Sequence, residues 1–218
     1  MTDPADGRPF DAVLFDLSGV VITSAFAPFV SVLGDQLPFD EALELMMGSY
    51  HEDTDHPWHR VERGEIGMAE WFAHVDQEVK ARGLTADWGK LKSAFEQLEV
   101  HDVVVDRIRT LRAEGYRVAL VTNNVREGSD SWRAMLDDDV DELFDAVVDS
   151  SSVGMRKPDP RIYLHALELL GSVEPDRAVF LDDHPGNVEG ARRAGLVGIL
   201  VDDPAEAIAE LDGILSDR

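Results

Sequence analysis

Four short segments that lie far apart in the chain carry the polar residues that could do chemistry: Asp16 with Ser18, Thr122 with Asn123, Lys157, and Asp182 with Asp183. Three carboxylates brought together repel one another unless a cation compensates for their charge. Carboxylate oxygens suit Mg²⁺, which binds one or two carboxylates together with waters and a substrate phosphate. An aspartate can also be the covalent nucleophile of phosphoryl transfer, while a lysine, hydroxyls and amides hold the phosphate oxygens. These residue types therefore indicate Mg²⁺-dependent chemistry on a phosphate ester.

Apolar runs typical of buried strands precede most of these segments. The runs are Phe10–Phe15, Arg117–Thr122, Ala146–Val148, Ala178–Leu181 and Gly198–Val201. Helical patterns lie between and after the runs: Val103–Glu114, Ser129–Leu136, Pro160–Leu170, Asn187–Ala194 and Pro204–Leu215. This alternation predicts a Rossmann-like α/β fold with a doubly wound parallel sheet. Because ligands bind outside the carboxyl ends of such strands, we expect the polar groups to meet there.

The segment 24–99 interrupts this alternation, because it contains no convincing strand pattern. Its helical patterns are Phe39–Met47, Met68–Lys80 and Trp88–Leu98. We therefore predict a small all-helical cap inserted after the first strand. Residues 10–23 and 100–218 would form the α/β core, and residues 24–99 would form the cap.

Side chains of the predicted cap allow several interpretations. Aromatic residues at helical spacings are expected in the hydrophobic core: Trp71, Phe72, Trp88 and Phe95. Candidate contacts with a substrate are Trp58, Arg60, Glu62 and Arg63. The histidines and carboxylates between residues 51 and 59 could bind a metal ion. Because no helical face aligns them, a polar surface or a rim over the substrate is favoured instead.

Composition excludes several classes of protein. The 218 residues include 20 Lys and Arg against 44 Asp and Glu, a formal charge of −24, which argues against nucleic acid and anionic membranes as partners. Without cysteine there is neither a disulfide nor a thiolate metal site. No apolar run approaches the roughly 18 residues of a membrane span, and the first residues lack a signal-peptide profile. We expect a cytoplasmic monomer or homodimer whose partner is a small-molecule phosphate ester.

Four stretches resemble the ordered motifs of the haloacid-dehalogenase-like (HAD) hydrolase superfamily: Phe15-Asp-Leu-Ser-Gly-Val20, Val121-Thr-Asn123, Arg156-Lys-Pro158 and Phe180-Leu-Asp-Asp183. The helical insertion stands where members with a small helical cap carry theirs. Within the superfamily, the chain looks most like α-D-glucose-1-phosphate phosphatases and the phosphatase domain attached to soluble epoxide hydrolases. The resemblance implies hydrolysis of a small phosphate ester, with a sugar phosphate favoured.

The resemblance also implies roles for the residues that match the motifs. Asp16 would be the nucleophile that forms an aspartyl-phosphate. Lys157 would act with it, neutralising the phosphate that Thr122 and Asn123 also bind. Mg²⁺ would be held by Asp16, the backbone carbonyl of Ser18, and Asp183 rather than Asp182. Supporting residues would be Asp182 and Asn187.

The position two residues after Asp16 departs from the family pattern, because phosphatases of this superfamily usually carry a second Asp there as general acid and base. Here the residue is Ser18, and a hydroxyl is a poor proton donor near neutral pH. An ester with a good leaving group, such as an anomeric sugar oxygen, needs less help, and His184 is a candidate substitute acid. Two alternatives stay open: a 2-haloacid dehalogenase, and a catalytically weak member that binds a phosphometabolite.

Overall fold

The computed structural model describes residues 8–49, 51–91, 97–128, 131–136 and 140–216. Its strands are β1 (Ala12–Phe15), β2 (Arg117–Thr122), β3 (Ala146–Asp149), β4 (Ala178–Asp182) and β5 (Val197–Leu200). They form one parallel sheet in the order β3-β2-β1-β4-β5. Strand β1 is central, so its last residue, Phe15, lies beside Leu120 of β2 and Leu181 of β4. The predicted Rossmann-like α/β fold is confirmed.

Helices cover both faces of the sheet and fill the segment between β1 and β2. They are α1 (Phe26–Ser31), α2 (Phe39–Met47), α3 (Pro57–Glu62), α4 (Met68–Ala81), α5 (Asp102–Ala113), α6 (Val140–Leu143), α7 (Ser150–Val153), α8 (Pro160–Leu169), α9 (Pro185–Arg193) and α10 (Pro204–Ser216). Side chains alternate between the faces of a strand, so Val13 and Phe15 join one apolar cluster and Ala12 and Leu14 join the other. Helices α5 and α10 pack on the first face, and α8 and α9 pack on the second.

Helices α1 to α4 share a separate apolar cluster that includes the fully buried Trp71. The rings of Phe29 and Trp58 meet Trp71 edge-on, with centroids 5.9 and 5.1 Å away, an arrangement that aromatic pairs favour. The indole N–H of Trp71 donates a hydrogen bond to the backbone carbonyl of Met46 at 2.7 Å. These contacts give the inserted helices a core of their own.

The chain enters and leaves the inserted helices through two adjacent segments. Ile22 and Val100 form an isolated antiparallel bridge. Beside it, the backbone N–H of Thr23 donates to the carbonyl of Glu99 at 2.8 Å. We propose that the cap begins after residue 23 and ends at residue 99, at this pair of segments.

The helix predictions differ from the structure in several places. Helices α1 and α3 were not predicted, because six residues are too few to show a helical period. The α-helix predicted over Ser129–Leu136 is wrong within the described residues, where Ser131–Met135 form a 3₁₀ helix. Residues 92–96 of the helix predicted over Trp88–Leu98 lie outside the described residues. None of the helices in the described ranges has the length and apolar composition that crossing a membrane requires.

Acid is expected to weaken the fold through His59, a fully buried residue of α3. Its Nδ1 accepts a hydrogen bond from the backbone N–H of Thr54 at 3.0 Å. Burial, helped by the charge of Arg156, lowers the pKa of His59 from 6.5 to about 3. The unfolded chain therefore binds a proton near pH 6.5 that the folded chain does not bind, so stability present above that pH is lost as the pH falls towards 3.

We expect this residue to lower the free energy of unfolding by about 1–2 kcal/mol between pH 7.5 and pH 5, measured by urea titration. The variant His59→Gln should lose this part of the pH dependence. A control, His165→Gln on the partly exposed surface of α8, should keep it. An unchanged pH dependence in His59→Gln would show that other groups cause the acid sensitivity.

Candidate active site

The carboxyl ends of three neighbouring strands gather the predicted site residues. Asp16 follows β1, Thr122 is the last residue of β2, and Asp182 is the last residue of β4. Lys157 comes from the loop between α7 and α8, and its side chain is almost completely buried, as is that of Asp182. Four chain-distant groups thus meet at one edge of the sheet, where open parallel sheets bind their ligands.

Lys157 bridges two of the carboxylates. Its Nζ lies 2.6 Å from Asp16 Oδ1 and 2.7 Å from Asp182 Oδ2. Burial opposes the charged ammonium, but the two carboxylates outweigh burial and raise the pKa of Lys157 above its usual value. The lysine therefore keeps its positive charge beside Asp16, where it can attract an anionic substrate.

Asp182 is held from several sides. The backbone N–H of His184 donates to its Oδ1 at 2.8 Å, and Asn187 Nδ2 lies 3.0 and 3.1 Å from its two oxygens. The backbone carbonyl of Asn187 accepts a hydrogen bond from the Tyr163 hydroxyl at 2.7 Å. Because both of its oxygens are engaged, Asp182 is suited to fixing Lys157, and Asn187 is suited to supporting Asp182.

The carboxylates of Asp16, Asp182 and Asp183 could hold a metal ion, since one oxygen of each lies within 4.8 Å of the others. Burial, together with the charge of Asp182, raises the pKa of Asp183 to about 7. Burial also raises the pKa of Asp16 well above its usual value, although Lys157 opposes that shift. Three carboxylates gather beside one ammonium, so the ionised form of two of them lacks a positive partner in a buried space. A divalent cation that prefers oxygen ligands, such as Mg²⁺, fits this donor set.

Two further features fit a cation at this place. Gly19 has a φ of +83°, and a Cβ there would lie 2.0 Å from Asp183 Oδ2, so a side chain would displace this carboxylate. Asn187 Oδ1 is buried and has no hydrogen-bond partner within the described part of the chain. A buried acceptor of this kind suits a site that binds an ion with its water ligands.

Ser18 and His184 have local structural contacts. Ser18 Oγ accepts a hydrogen bond from the backbone N–H of Ala25 at 2.9 Å, which ties the start of the insertion to the loop after β1. His184 Nδ1 accepts from the backbone N–H of Gly186 in the first turn of α9, at 3.1 Å. Burial lowers the pKa of His184 to about 4. A neutral imidazole is a weak acid, so the structure does not favour His184 as the substitute proton donor.

Thr122 and Asn123 offer different groups to a phosphate. The side-chain amide of Asn123 holds the main chain of Lys157: Nδ2 donates to its carbonyl at 3.0 Å, and Oδ1 accepts from its N–H at 2.8 Å. Among the described residues, the Thr122 hydroxyl makes one long contact, of 3.4 Å, with the Asn123 carbonyl. We therefore expect Thr122 to bind a phosphate oxygen through its hydroxyl, while the Asn123 side chain positions Lys157.

A buried ion pair that the sequence did not predict links the insertion to this site. Arg156 Nε lies 2.6 Å from Glu62 Oε2, and both side chains are almost fully buried. Trp58 Nε1 donates to the other oxygen of Glu62 at 2.8 Å. Because Arg156 directly precedes Lys157, helix α3 is coupled to the loop that supplies the lysine. Sequence patterns could not pair two residues 94 positions apart.

The other cap residues singled out in the sequence lie elsewhere. Arg60 and Arg63 pair with Glu65, at Nε–carboxylate distances of 3.3 and 2.7 Å. The cap histidines do not gather into a set of metal ligands: among the described residues, the three aspartates at the sheet edge form the one such group.

A cavity of about 720 Å³ lies between the inserted helices and the edge of the sheet. Asp16, Thr122 and Lys157 are part of its wall, and six aromatic side chains also line it: Phe26, Phe29, Trp58, Phe72, Trp88 and Trp132. The helical spacing predicts Phe72 and Trp88 in the hydrophobic core. Both are half-buried: they pack against the apolar cluster of the inserted helices, as predicted, and they also border the cavity. Of the other two aromatics in that prediction, Trp71 is in the core and Phe95 lies outside the described residues.

Comparison with known proteins identifies the family. A family model described as haloacid dehalogenase-like hydrolase matches residues 10–195. The chain is 29% identical over 212 residues to bifunctional epoxide hydrolase 2 of Rattus norvegicus, covering 92% of this chain and 38% of that protein. It is 25% identical over 213 residues to the sesquiterpene phosphatase astK of Aspergillus oryzae, covering 93% of this chain and 95% of that protein. The chain spans well under half the length of the first curated relatives it matches.

Solved structures share the fold. A HAD family enzyme of Bacteroides thetaiotaomicron, in complex with magnesium and inorganic phosphate, has a TM-score of 0.62 at 21% identity, covering 90% of this chain and 98% of that chain. A structure described as a dehalogenase has a TM-score of 0.65 at 19% identity and covers 100% of both chains. The resemblance noted in the sequence is confirmed: this chain belongs to the haloacid dehalogenase-like hydrolase family.

Proposed function

We propose that this hydrolase removes the phosphate group from a small phosphate monoester, with Mg²⁺ as its cofactor and a phosphorylated Asp16 as the intermediate. The position of Asp16 carries the proposal. Its carboxylate lies 2.6 Å from the Lys157 ammonium and close to two other carboxylates. It also lines a cavity of about 720 Å³, a size typical of small-molecule sites. A phosphatase among the relatives supports the same class of reaction.

In the first step, an oxygen of Asp16 forms a bond to phosphorus, the bond from phosphorus to the ester oxygen breaks, and the leaving group takes the electron pair. Lys157 and the backbone N–H of Leu17, each 2.6 Å from Asp16 Oδ1, orient this carboxylate. Lys157 and the Thr122 hydroxyl would stabilise the negative phosphoryl oxygens. Bound Mg²⁺ would supply further positive charge at the phosphate, and the residues to hold it are Asp16, Asp183 and, through its backbone carbonyl, Ser18.

In the second step, water attacks the phosphorus of the aspartyl-phosphate. The bond between phosphorus and the Asp16 oxygen breaks, inorganic phosphate is released and the carboxylate is restored. The proton lost by the water passes to the phosphate or to solvent. Throughout both steps Asp182 keeps Lys157 in place, because its oxygen lies 2.7 Å from the lysine Nζ.

A 2-haloacid dehalogenase is the second candidate, because a dehalogenase shares the fold. In that reaction the aspartate attacks carbon and displaces a halide without a metal ion. Three carboxylates gathered around one ammonium would repel an anionic haloacid unless a cation compensated for their charge. The cluster of three carboxylates therefore favours the phosphatase over the dehalogenase. A third candidate, a phosphometabolite-binding member with little turnover, rests on the serine at position 18.

Removal of divalent ions tests the proposed reaction. We expect EDTA to lower the rate of p-nitrophenyl phosphate hydrolysis by at least about 10²-fold, because the phosphate would then face uncompensated carboxylates, and added Mg²⁺ should restore the rate. The same preparations are assayed for chloride release from a 2-chloro acid. Chloride release that EDTA does not affect would support the dehalogenase. Binding of beryllofluoride with Mg²⁺, without turnover of a broad panel of phosphate esters, would support the binding member.

The sequence favours a sugar phosphate as the substrate, and this identity of the alcohol part stays a prediction. A sugar needs hydrogen-bond partners for several hydroxyl groups. The aromatic lining of the cavity supplies few of them.

A further inference from the structure

We propose that the substrate is an apolar aryl phosphate: a single phosphate group joined to the hydroxyl oxygen of an uncharged aromatic ring system. This inference rests on the proposed phosphatase reaction and names the alcohol part of its substrate. Two independent features carry it: the composition of the cavity wall, and the polar groups available there when the ester bond breaks.

The cavity wall is dominated by apolar side chains, six of them aromatic. Aromatic rings pack edge-on or offset against one another, as Phe72 and Trp88 do with centroids 4.9 Å apart. An aryl group placed among these rings is withdrawn from water, which is favourable. Sugar hydroxyl groups placed against this apolar part of the wall would instead lose water without gaining hydrogen-bond partners.

Positive charge is confined to one point of this wall. Lys157 is the one cation among the described residues that line the cavity, and two carboxylates hold its ammonium. Glu62, also in the wall, shares its two oxygens between Trp58 Nε1 and Arg156 Nε. A second phosphate or a carboxylate on the substrate would find no further positive partner among the described residues of the wall, and the chain's net charge of −24 would oppose it. The substrate therefore carries one phosphate group on an uncharged body.

The ionisable side chains of the wall other than Asp16 are engaged elsewhere: Lys157 is held by two carboxylates, and Glu62 accepts from Trp58 Nε1 and Arg156 Nε. The Ser18 hydroxyl oxygen is held by a backbone N–H at 2.9 Å, and neither Thr122 nor the amide of Asn123 is an acid near neutral pH. The ester oxygen must therefore leave as an anion. An aromatic hydroxyl, with a pKa of about 10, leaves this way far more readily than an aliphatic alcohol, whose acidity is close to that of water.

The proposed step balances without a further reactant. An oxygen of Asp16 bonds to phosphorus, the bond from phosphorus to the aryl oxygen breaks, and the electron pair goes to that oxygen. The product leaves as a phenolate and takes a proton from water. Hydrolysis of the aspartyl-phosphate then consumes one water molecule and releases inorganic phosphate.

Matched pairs of esters test the two features separately, with kcat/KM measured for the wild-type chain in Mg²⁺. Phenyl and cyclohexyl phosphate are similar in size but differ in leaving-group acidity, and we expect phenyl phosphate to be preferred by at least about 10²-fold. 2-Naphthyl and phenyl phosphate have similar leaving groups but differ in apolar area, and we expect 2-naphthyl phosphate to be preferred by at least about fivefold. Glucose 1-phosphate, whose anomeric oxygen is also a good leaving group, should be poorer than both aryl esters.

Variants test which residues cause these two substrate preferences. Phe72→Ala should reduce the ratio of 2-naphthyl to phenyl turnover by at least about threefold, because it removes part of the aromatic wall. Phe39→Ala, at a residue 51% exposed outside the cavity, should keep the wild-type ratio. Ser18→Asp should raise turnover of cyclohexyl relative to phenyl phosphate by about 10²-fold, because it supplies an acid. The control Ser18→Asn introduces a side chain similar in shape to aspartate but without an acidic group, so it should keep the preference for phenyl phosphate. Ratios within one preparation do not depend on the fraction that is folded.

Different outcomes would overturn different claims. Cyclohexyl phosphate hydrolysed as well as phenyl phosphate, or glucose 1-phosphate preferred over 2-naphthyl phosphate, would overturn the aryl substrate and leave the phosphatase intact. A failure to release phosphate from every ester, p-nitrophenyl phosphate included, would overturn the proposed reaction itself, and the inference with it.

Discussion

Asp16→Asn is expected to lower the turnover of every phosphate ester by at least about 10⁴-fold, because it removes the oxygen that bonds to phosphorus. The substitution should also abolish the acid-stable labelling of the chain that a short reaction with a ³²P-labelled ester would produce. Phosphate release in the steady state and labelling after an acid quench are the two measurements. Together they report on the nucleophile and on the covalent intermediate.

A matched control for this variant is Asp35→Asn, which removes a carboxylate from an exposed position outside the cavity. We expect wild-type rates and labelling for Asp35→Asn. If Asp16→Asn kept more than about a tenth of the wild-type turnover, Asp16 would not be the nucleophile, and a reaction through directly activated water would have to replace the covalent mechanism.

Lys157→Met is expected to act on both activity and stability. The ammonium lies within 2.7 Å of Asp16 and Asp182, so its removal leaves two buried carboxylates facing each other. We expect a loss of about 10³-fold in kcat/KM, from the missing charge at the phosphate. The free energy of unfolding should also fall by about 3–5 kcal/mol near neutral pH, as when one partner of a buried ion pair is lost.

The pH dependence of stability in the Lys157→Met variant tests whether the loss of stability comes from the two buried carboxylates. Without the lysine, the pKa of Asp16, already raised by burial, should rise further, so the folded chain binds protons that the unfolded chain does not. Relative to the wild type, its stability should therefore increase as the pH is lowered from 8 to about 5.5, which urea midpoints of both proteins at several pH values would show. Lys80→Met, at a side chain 71% exposed, should change stability by less than about 0.5 kcal/mol. Equal effects in the two variants would contradict the buried role of Lys157.

Much of the fold and of the site was predictable because the signals are local. Strand β1 is an apolar run in the sequence because helices cover both of its faces. Asp16 directly follows this run, at the point where the buried strand ends and polar groups begin. The same holds for Asp182 after the apolar part of β4. Order along the chain and the parallel topology then suffice to bring these residues together.

The remaining features depend on contacts that sequence patterns do not record. A helical spacing of aromatic residues is the same for a packed core and for a cavity wall, so Phe72 and Trp88 could not be told apart from Trp71. The partner of Arg156 is Glu62, in another helix and a distant part of the chain. Asn123 is predicted to bind the phosphate, and sequence patterns give no sign of the further contacts by which its side chain holds the main chain of Lys157.

The ion pair between Glu62 and Arg156 has a consequence for the order of events in a catalytic cycle. The pair joins helix α3 to the residue that precedes Lys157. Any hinge movement that lifts α3 to admit an ester must either expose these two charges to water or pull on the lysine loop. If the loop moved with α3, Lys157 would leave its place beside Asp16, so we expect the two residues to be positioned for reaction only while α3 is packed against this loop.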